Sequence, residues 1–374
     1  MKKKLKKKFR RILILSPILI LLIVFTILFL TKDNPPVDEI KSAREKLSDA
    51  KAAQAQKYAK NLFNNANIAY DSAMHYWNEE NDDFFLFRDY SKVRYFAYQS
   101  EKFARSAIGQ SNSNSKNLNQ DVDQKIQKIQ KKVDIYQANF ENIPQIDDIR
   151  NQYNKGKILF TEAKLAFQKS DFIKAQQKID LSAALIEKSY AQANNILVNY
   201  FGNYPKWQRW VGNSIEQSRV NGTYCIIVDK FARECKLYYK GTLKEVFDAD
   251  LGKNWIGSKN HQGDCMTPEG NYKVIDKKEN GRSRYYKALL INYPNEEDRA
   301  RFSENKRNGS IPSRKRIGDL VEIHGNGGQG ADWTSGCVAL SNSDIDKLYS
   351  RCAVGTSVTI VGSTKPLSEI MKLP

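Results

Sequence analysis

His324 and Cys337 are the two side chains in this sequence best suited to making and breaking a covalent bond. They sit in one short stretch, IHGNGGQGADWTSGCVAL (323–340), in a chain with three histidines and five cysteines. A thiolate, not a thiol, is the attacking form of cysteine, and a free thiol with pKa near ~8.5 is mostly protonated at neutral pH. A neighbouring imidazole can take that proton and hold the thiolate as an ion pair. The backbone N–H groups of Ser335, Gly336 and Cys337 are then candidates for an oxyanion hole, and Gly336 lets a substrate approach closely. Against this stands the ordinary use of cysteine in β proteins as a small buried hydrophobe. An odd number of cysteines outside the cytoplasm leaves at least one thiol free or paired between molecules, and a free one invites a functional reading. How Cys225, Cys235, Cys265 and Cys352 pair, if they do, is not readable from the sequence.

Other chemistries fit less well. GNGGQG (325–330) matches G-x-G-x-x-G letter for letter, but a dinucleotide fingerprint needs an apolar-periodic helix directly after it. ADWTSGC and a strand pattern follow instead, so the glycines read as a loop that returns the chain from His324 to Cys337. No Cys, His or paired carboxylate stands at metal-ligand spacing from His75. His75, beside Tyr76 and Trp77, reads as a packed or interfacial side chain. The formal charge of +18 suits a polyanion, but no nucleic-acid-binding signature accompanies it, and eight of the first eleven residues alone are Lys or Arg.

The elements that must position His324 and Cys337 lie in the last third. TYCIIVDK (223–230), ECKLYYKG (234–241), GNYKVID (270–276), YYKALLINYP (285–294), DLVEIHG (319–325) and TSVTIVG (356–362) are rich in Val, Ile, Tyr and Thr and bounded by turns, so they read as strands. SNSDIDKLYS (341–350) reads as a short helix with a polar cap. His324 ends one strand and Cys337 begins the next; antiparallel neighbours ~5 Å apart would let the side chains meet.

Upstream the pattern is helical. ILILSPILILLIVFTILFLT (12–31) is uncharged and long enough to span ~30 Å as a helix. The basic head (1–11) before it and the absence of a cleavage pattern after it predict an uncleaved anchor with its N-terminus in the cytoplasm. Residues 37–200 read as a helical stalk. In 42–74 the residues Ala43, Leu47, Ala50, Tyr58, Leu62, Ala66, Ala69 and Ala73 form one apolar stripe on a helix of ~35–40 residues. RDYSKVRYFAYQSEKF (88–103) weakly repeats in SDFIKAQQKIDLSAAL (170–185), with Asp171 at an N-cap position. Two helical hairpins joined by a polar break at 109–121 are expected, with a surface that could serve a protein partner. The expected fold class is multidomain, α plus mainly β: anchor 12–31, stalk 37–200, catalytic domain 222–362, tail 363–374.

The C-terminal residues also carry a resemblance. From about 222 to 362 the chain resembles the L,D-transpeptidase catalytic domain (the YkuD family) of bacterial cell-wall enzymes. It does so in His324 … Thr334-Ser335-Gly336-Cys337-Val338, in GDCMTPEGNYKV (263–274) and in LLINYPNEEDRARF (289–302). The resemblance implies a β-sandwich-like fold, a peptidoglycan stem-peptide substrate and a reaction that needs no metal, nucleotide or other cofactor. It implies Cys337 as nucleophile, His324 as general base and then acid, and the Gly325 carbonyl as the group orienting the imidazole. Trp333, Tyr293, Thr267, Pro268 and Gly270 become substrate-binding positions. The thiolate would expel D-alanine from a tetrapeptide stem and leave a thioester for an amine to resolve; carbapenem-type acylation of Cys337 is implied too. Two positions depart from the common pattern, Ser335 where many members have a second His and Ala339 where many have Arg or Asn. These departures leave the acceptor open between an amine and water, and an inactive wall-binding scaffold is the reading from another class. A sortase would need a longer His–Cys separation and an Arg on a later strand, and Arg351 lies at a helix end.

Overall fold

A computed structural model describes residues 2–141, 143–144, 147–279 and 281–371, with side chains from Ser16 onward. It divides into two compact units, residues 1–125 with 163–177, and residues 126–162 with 178–374.

The first unit begins with helix α1 (Lys2–Thr31). The large apolar side chains from Ile18 to Leu30 are mostly half exposed or more. Among the described residues no helix is long and apolar enough to cross a membrane. The expected anchor over 12–31 is therefore not a structural finding, and side chains 12–15 of that run lie outside the described residues. The single long helix expected over 42–74 is instead α2 (Val37–Ala52), α3 (Ala55–Tyr58) and α4 (Lys60–Asp82). The interruptions fall at Ala59, between α3 and α4 with φ −141° and ψ 43°, and at Gln54, whose backbone is left-handed at φ 56°. Nothing in AAQAQK signals the latter. The alanine stripe still packs, because small side chains let helices approach closely. Ala50, Ala55, Ala59 and Ala66 meet Ala104 and Ala107, and Ala43 and Ala73 meet Ala97.

Helix α5 (Ser91–Phe140) runs unbroken through 109–121, which corrects the expected linker there. Its polar residues have partners on the interrupted helices: Ser111 Oγ donates to the Ala53 carbonyl at 2.6 Å and Asn114 Nδ2 to the Tyr58 carbonyl at 2.7 Å. They satisfy carbonyls that the breaks at Gln54 and Ala59 free. His75 stands exposed on α4, 3.5 Å from Glu79, rather than packed.

The second unit combines helices with the sheet. Helices α6 (Asp147–Gln168), α7 (Phe172–Phe201) and α8 (Tyr204–Asn221) lead into β1 (Tyr224–Asp229), β2 (Glu234–Tyr239), β3 (Thr242–Asp248), β4 (Gly270–Lys278) and β5 (Ala288–Ile291). Helix α9 (Glu296–Arg307), β6 (Glu322–His324), β7 (Val338–Ala339), α10 (Asn342–Arg351), β8 (Ser357–Val361) and α11 (Leu367–Ile370) complete it. Eight strands are hydrogen-bonded in the order β3-β2-β1-β8-β4-β5-β6-β7. This continuous sheet is what the sandwich-like expectation becomes. A register irregularity in β4 between Val274 and Asp276 marks where pairing changes from β8 to β5; such bulges bend a strand.

One core gathers side chains from the whole sheet, among them Ile226, Val228, Leu237, Val274, Leu289, Ile323, Val338 and Ile360. The same core takes in Tyr136, Phe140, Tyr153, Leu197, Tyr200, Phe201 and Trp207 from α5 to α8. A spacer over 37–200 does not anticipate that sharing.

Candidate active site

Strands β6 and β7 place the two reactive residues. They pair in parallel, not antiparallel as expected, with Ile323 opposite Val338 and His324 opposite Ala339. Cys337 directly precedes β7, two positions before Ala339. Side chains opposite one another, and those two residues apart, project from the same side of a sheet, so the thiol and the imidazole are diagonal neighbours on one face. The loop between them doubles back: Gly327 N donates to the Leu340 carbonyl at 2.8 Å, and Leu340 N donates to the His324 carbonyl at 2.8 Å. The helix after the glycine-rich loop starts only at Asn342, in keeping with a connecting role for 325–330.

His324 is 1 % exposed. Its Nδ1 lies 2.7 Å from the Gly325 carbonyl oxygen. A carbonyl can only accept, so Nδ1 carries the proton and Nε2 keeps its lone pair. The ring stacks on Tyr285 with centroids 4.1 Å apart and an 18° interplanar angle, and meets Trp333 edge-on at 6.0 Å. Trp333 is pinned in turn: its Nε1 donates to Asp250 Oδ2 at 3.1 Å. Burial holds the imidazole below its ordinary pKa, against the pull of the Gly325 carbonyl and the Glu322 carboxylate.

Burial also pushes the Cys337 thiol up, to about 11; the Glu322 carboxylate adds to this, while the Glu322 backbone and the ammonium groups of Lys259 and Lys278 oppose it. The thiol's hydrogen-bond acceptor is the Leu320 carbonyl, 3.7 Å away. Both shifts favour a neutral thiol beside a neutral imidazole. The resting groups are thus a neutral thiol hydrogen-bonded to the Leu320 carbonyl and a neutral imidazole, rather than the preformed thiolate–imidazolium pair that sequence reasoning allows.

The turn before Cys337 is tightly held. Gly336 has φ 134°, and a Cβ there would lie 2.5 Å from the Met266 carbonyl oxygen; only glycine fits. Gly336 N donates to Thr334 Oγ1 at 3.1 Å, and that hydroxyl donates to the Cys337 carbonyl at 2.8 Å. The Gly336 amide is therefore occupied, which takes it out of the expected oxyanion hole and leaves the Ser335 and Cys337 amides. Ser335 itself is exposed, and its carbonyl accepts from Lys259 Nζ at 3.3 Å.

The remaining sequence candidates are framework. Thr267 is fully buried, its Oγ1 accepting from Gly252 N at 3.0 Å. Pro268 is buried, and Gly270 opens β4 opposite Ile360. Tyr293 is 5 % exposed in the core, packs against Tyr272, and its hydroxyl donates to the Ile317 carbonyl at 3.3 Å. Sequence reasoning missed Tyr285, Lys259, Asp250 and Glu322, none of which sits in a motif that announces chemistry. All five cysteines are free, with Cys225, Cys235 and Cys352 buried and Cys265 and Cys337 partly exposed. Among the described residues, no set of three or more His, Cys, Asp or Glu side chains could hold a metal ion.

Residues 223–360 match the family model YkuD, the L,D-transpeptidase catalytic domain. YafK of Escherichia coli strain K12, a protein named for L,D-transpeptidase activity, is 37% identical over 95 residues, which cover 25% of this chain and 31% of that protein. YafK of strain O157:H7 gives the same values. The match thus spans about a third of the length of these curated relatives. Among solved structures, the L,D-transpeptidase of Xylanimonas cellulosilytica is 15% identical with a TM-score of 0.27, covering 37% of this chain and 60% of that one. An L,D-transpeptidase from Mycobacterium smegmatis is 16% identical with a TM-score of 0.25, covering 37% and 58%.

Proposed function

We propose that the C-terminal domain is a peptidoglycan L,D-transpeptidase in which Cys337 is the nucleophile. The observation that carries this reading is the placement of His324 and Cys337 on one face of β6 and β7 with the His324 tautomer set by Gly325. The family match of the surrounding domain supports it.

His324 Nε2 takes the Cys337 proton as Sγ attacks the carbonyl of the stem's penultimate residue. The tetrahedral intermediate forms with its oxyanion facing the Ser335 and Cys337 amides. Collapse breaks the C–N bond to D-alanine, whose amine takes the proton from His324. A thioester remains. An amine from a neighbouring stem then loses its proton to His324, attacks the thioester and releases Cys337 as thiol. Neutral reactants suit a buried site, because no charge is stranded there before substrate arrives.

In this reading α1 anchors the protein in a bacterial cytoplasmic membrane, with residues 1–11 inside and everything after residue 32 outside. The apolar exposure from Ile18 to Leu30 supports it, since a helix apolar all round needs an apolar surrounding. The first unit offers a surface for a protein partner.

The full chain, incubated with disaccharide-tetrapeptide fragments and followed by mass spectrometry beside Cys337→Ala, tests the proposal. Cross-linked dimers that require Cys337 establish transpeptidation. Loss of D-alanine without dimers makes water the acceptor and the protein a hydrolase. With no Cys337-dependent product, even when an alternative amine is supplied, the catalytic reading fails and a wall-binding scaffold remains.

A further inference from the structure

Next to the turn that carries Cys337 lies a buried cation that no step above uses. Lys259 is 5 % exposed. Its Nζ donates to Asp264 Oδ1 at 2.8 Å and to the Ser335 carbonyl at 3.3 Å, and lies 3.4 Å from where a Cβ on Gly336 would stand. Asp264 is fixed independently of Lys259. Its Oδ2 accepts from the amides of Asn260 at 2.6 Å and His261 at 2.9 Å, and its Oδ1 accepts from Met266 N at 3.0 Å. Burial pushes the Asp264 carboxyl up, but the Lys259 ammonium and these amides outweigh it and hold it below the usual range. The carboxylate is thus a rigid socket for the ammonium.

We propose that Lys259, seated on Asp264, is a positioning residue for acyl transfer: by holding the Ser335 carbonyl it fixes the Ser335–Gly336 peptide plane, and with it the two flanking peptides whose Ser335 and Cys337 amides face the developing oxyanion. The inference rests on the transpeptidase reading and names a residue that reading does not require. A backbone turn can present its amides or its carbonyls to a substrate. The Ser335 carbonyl and the Gly336 N–H are the two ends of one planar peptide unit, and both ends are bound, so the plane cannot flip and the amides on either side of it keep their direction. Thr334 clamps one flank of the turn through Gly336 N and the Cys337 carbonyl; Lys259 clamps the other. The ammonium also leaves a positive charge beside a centre that becomes negative only in the tetrahedral intermediate, where a fixed charge lowers the barrier.

Two reactions of the same thiol separate positioning from structure in the full chain. Carbapenem acylation forms the Cys337 Sγ–C bond, breaks the lactam C–N bond and passes the thiol proton to that nitrogen; it develops an oxyanion. Alkylation by iodoacetamide expels iodide and develops none. Around the thiol stand His324, Glu322, Lys278 and Lys259 itself, so alkylation is read across pH 6–10 to register any change in thiolate supply. Lys259→Met is expected to slow acylation at least 30-fold while alkylation changes no more than about threefold at each pH. Should that variant not fold, Lys259→Gln, which keeps a donor but no charge, is expected to lower the ratio of the two rates at least tenfold. An unchanged ratio, with the two rates falling together or neither falling, overturns the proposal. If the unsubstituted chain is not acylated, the transpeptidase reading itself fails and takes this inference with it; if it is acylated and the ratio holds, only the role of Lys259 is lost.

Discussion

At the scale of single residues, the site is set to react only when asked. With the Cys337 pKa near 11, the thiolate fraction should grow about tenfold per pH unit between pH 7 and 10. Iodoacetamide labelling of the folded chain should follow that slope; a rate already flat below pH 7 would reveal a preformed ion pair with His324. The sign for His324 is opposite. Its pKa is lowered, so the imidazole stays a base on acidification past the ordinary 6.5 and the acid limb of kcat/KM should fall below that value. A limb above 6.5 would contradict the burial of the ring. Gly336 belongs to the same argument. Gly336→Ala must put a Cβ into the Met266 carbonyl and hold φ 134°. Turnover should drop by at least about 100-fold, the scale of losing an oxyanion donor, with the strain itself on the order of 1–3 kcal/mol. Turnover within a few-fold of the parent chain would mean that the turn tolerates a side chain and is not the hole.

Elements show which features were legible beforehand and which were not. Rare residue types identified Cys337 and His324, and β-branched and tyrosine-rich runs bounded by turns located β1, β2, β4, β5, β6 and β8. Strand β3 escaped because TLKEVFD is an edge strand with mostly exposed side chains, so no buried face imposes an apolar alternation. Helix α9 escaped for a related reason. Of EEDRARFSENKR only Asp298 is buried, so there is no stripe to read, and the visible signal is the capping box from Asn295 to Asp298. The partners of Glu269 were equally hidden, since they come from three distant elements. Its carboxylate accepts from Tyr200 Oη of α7 at 2.7 Å, Trp207 Nε1 of α8 at 3.1 Å and Lys230 Nζ, just after β1, at 2.8 Å. Lys230 also donates to the carbonyls of Gly257 and Thr267, so this hub ties two helices to the segment packed beside the Gly336 turn. Glu269→Gln strands a fully buried ammonium and should destabilise by about 3–5 kcal/mol. Trp207→Phe leaves one carboxylate oxygen short of a donor and should cost about 1 kcal/mol or more. Urea midpoints rank the two; a Glu269→Gln chain as stable as its parent would show that the hub carries little of the fold.

For the whole molecule, the boundary of the catalytic module is the open structural question, because the family match begins at residue 223 while the compact unit begins near residue 126. Cutting at 222 removes Tyr200, Phe201 and Trp207 from the core. It bares Gly362, against which Trp207 lies so closely that a Cβ there would be 2.2 Å from the indole. It also leaves Glu269 and Lys230 with each other but without the two aromatic donors. Burying an aromatic side chain contributes roughly 1.5–3 kcal/mol, and losing three of them approaches the 5–15 kcal/mol that holds a domain together. A fragment 222–374 should therefore aggregate or melt without cooperativity, and open the buried thiols Cys225, Cys235 and Cys352 to labelling. A fragment 126–374 should melt in one transition and keep the labelling pattern of the full chain. Calorimetry and thiol mass mapping on both fragments decide the matter. If 222–374 melts as sharply and as high as 126–374, the helices are a tether after all, and the shared aromatic core is a contact the catalytic domain can do without.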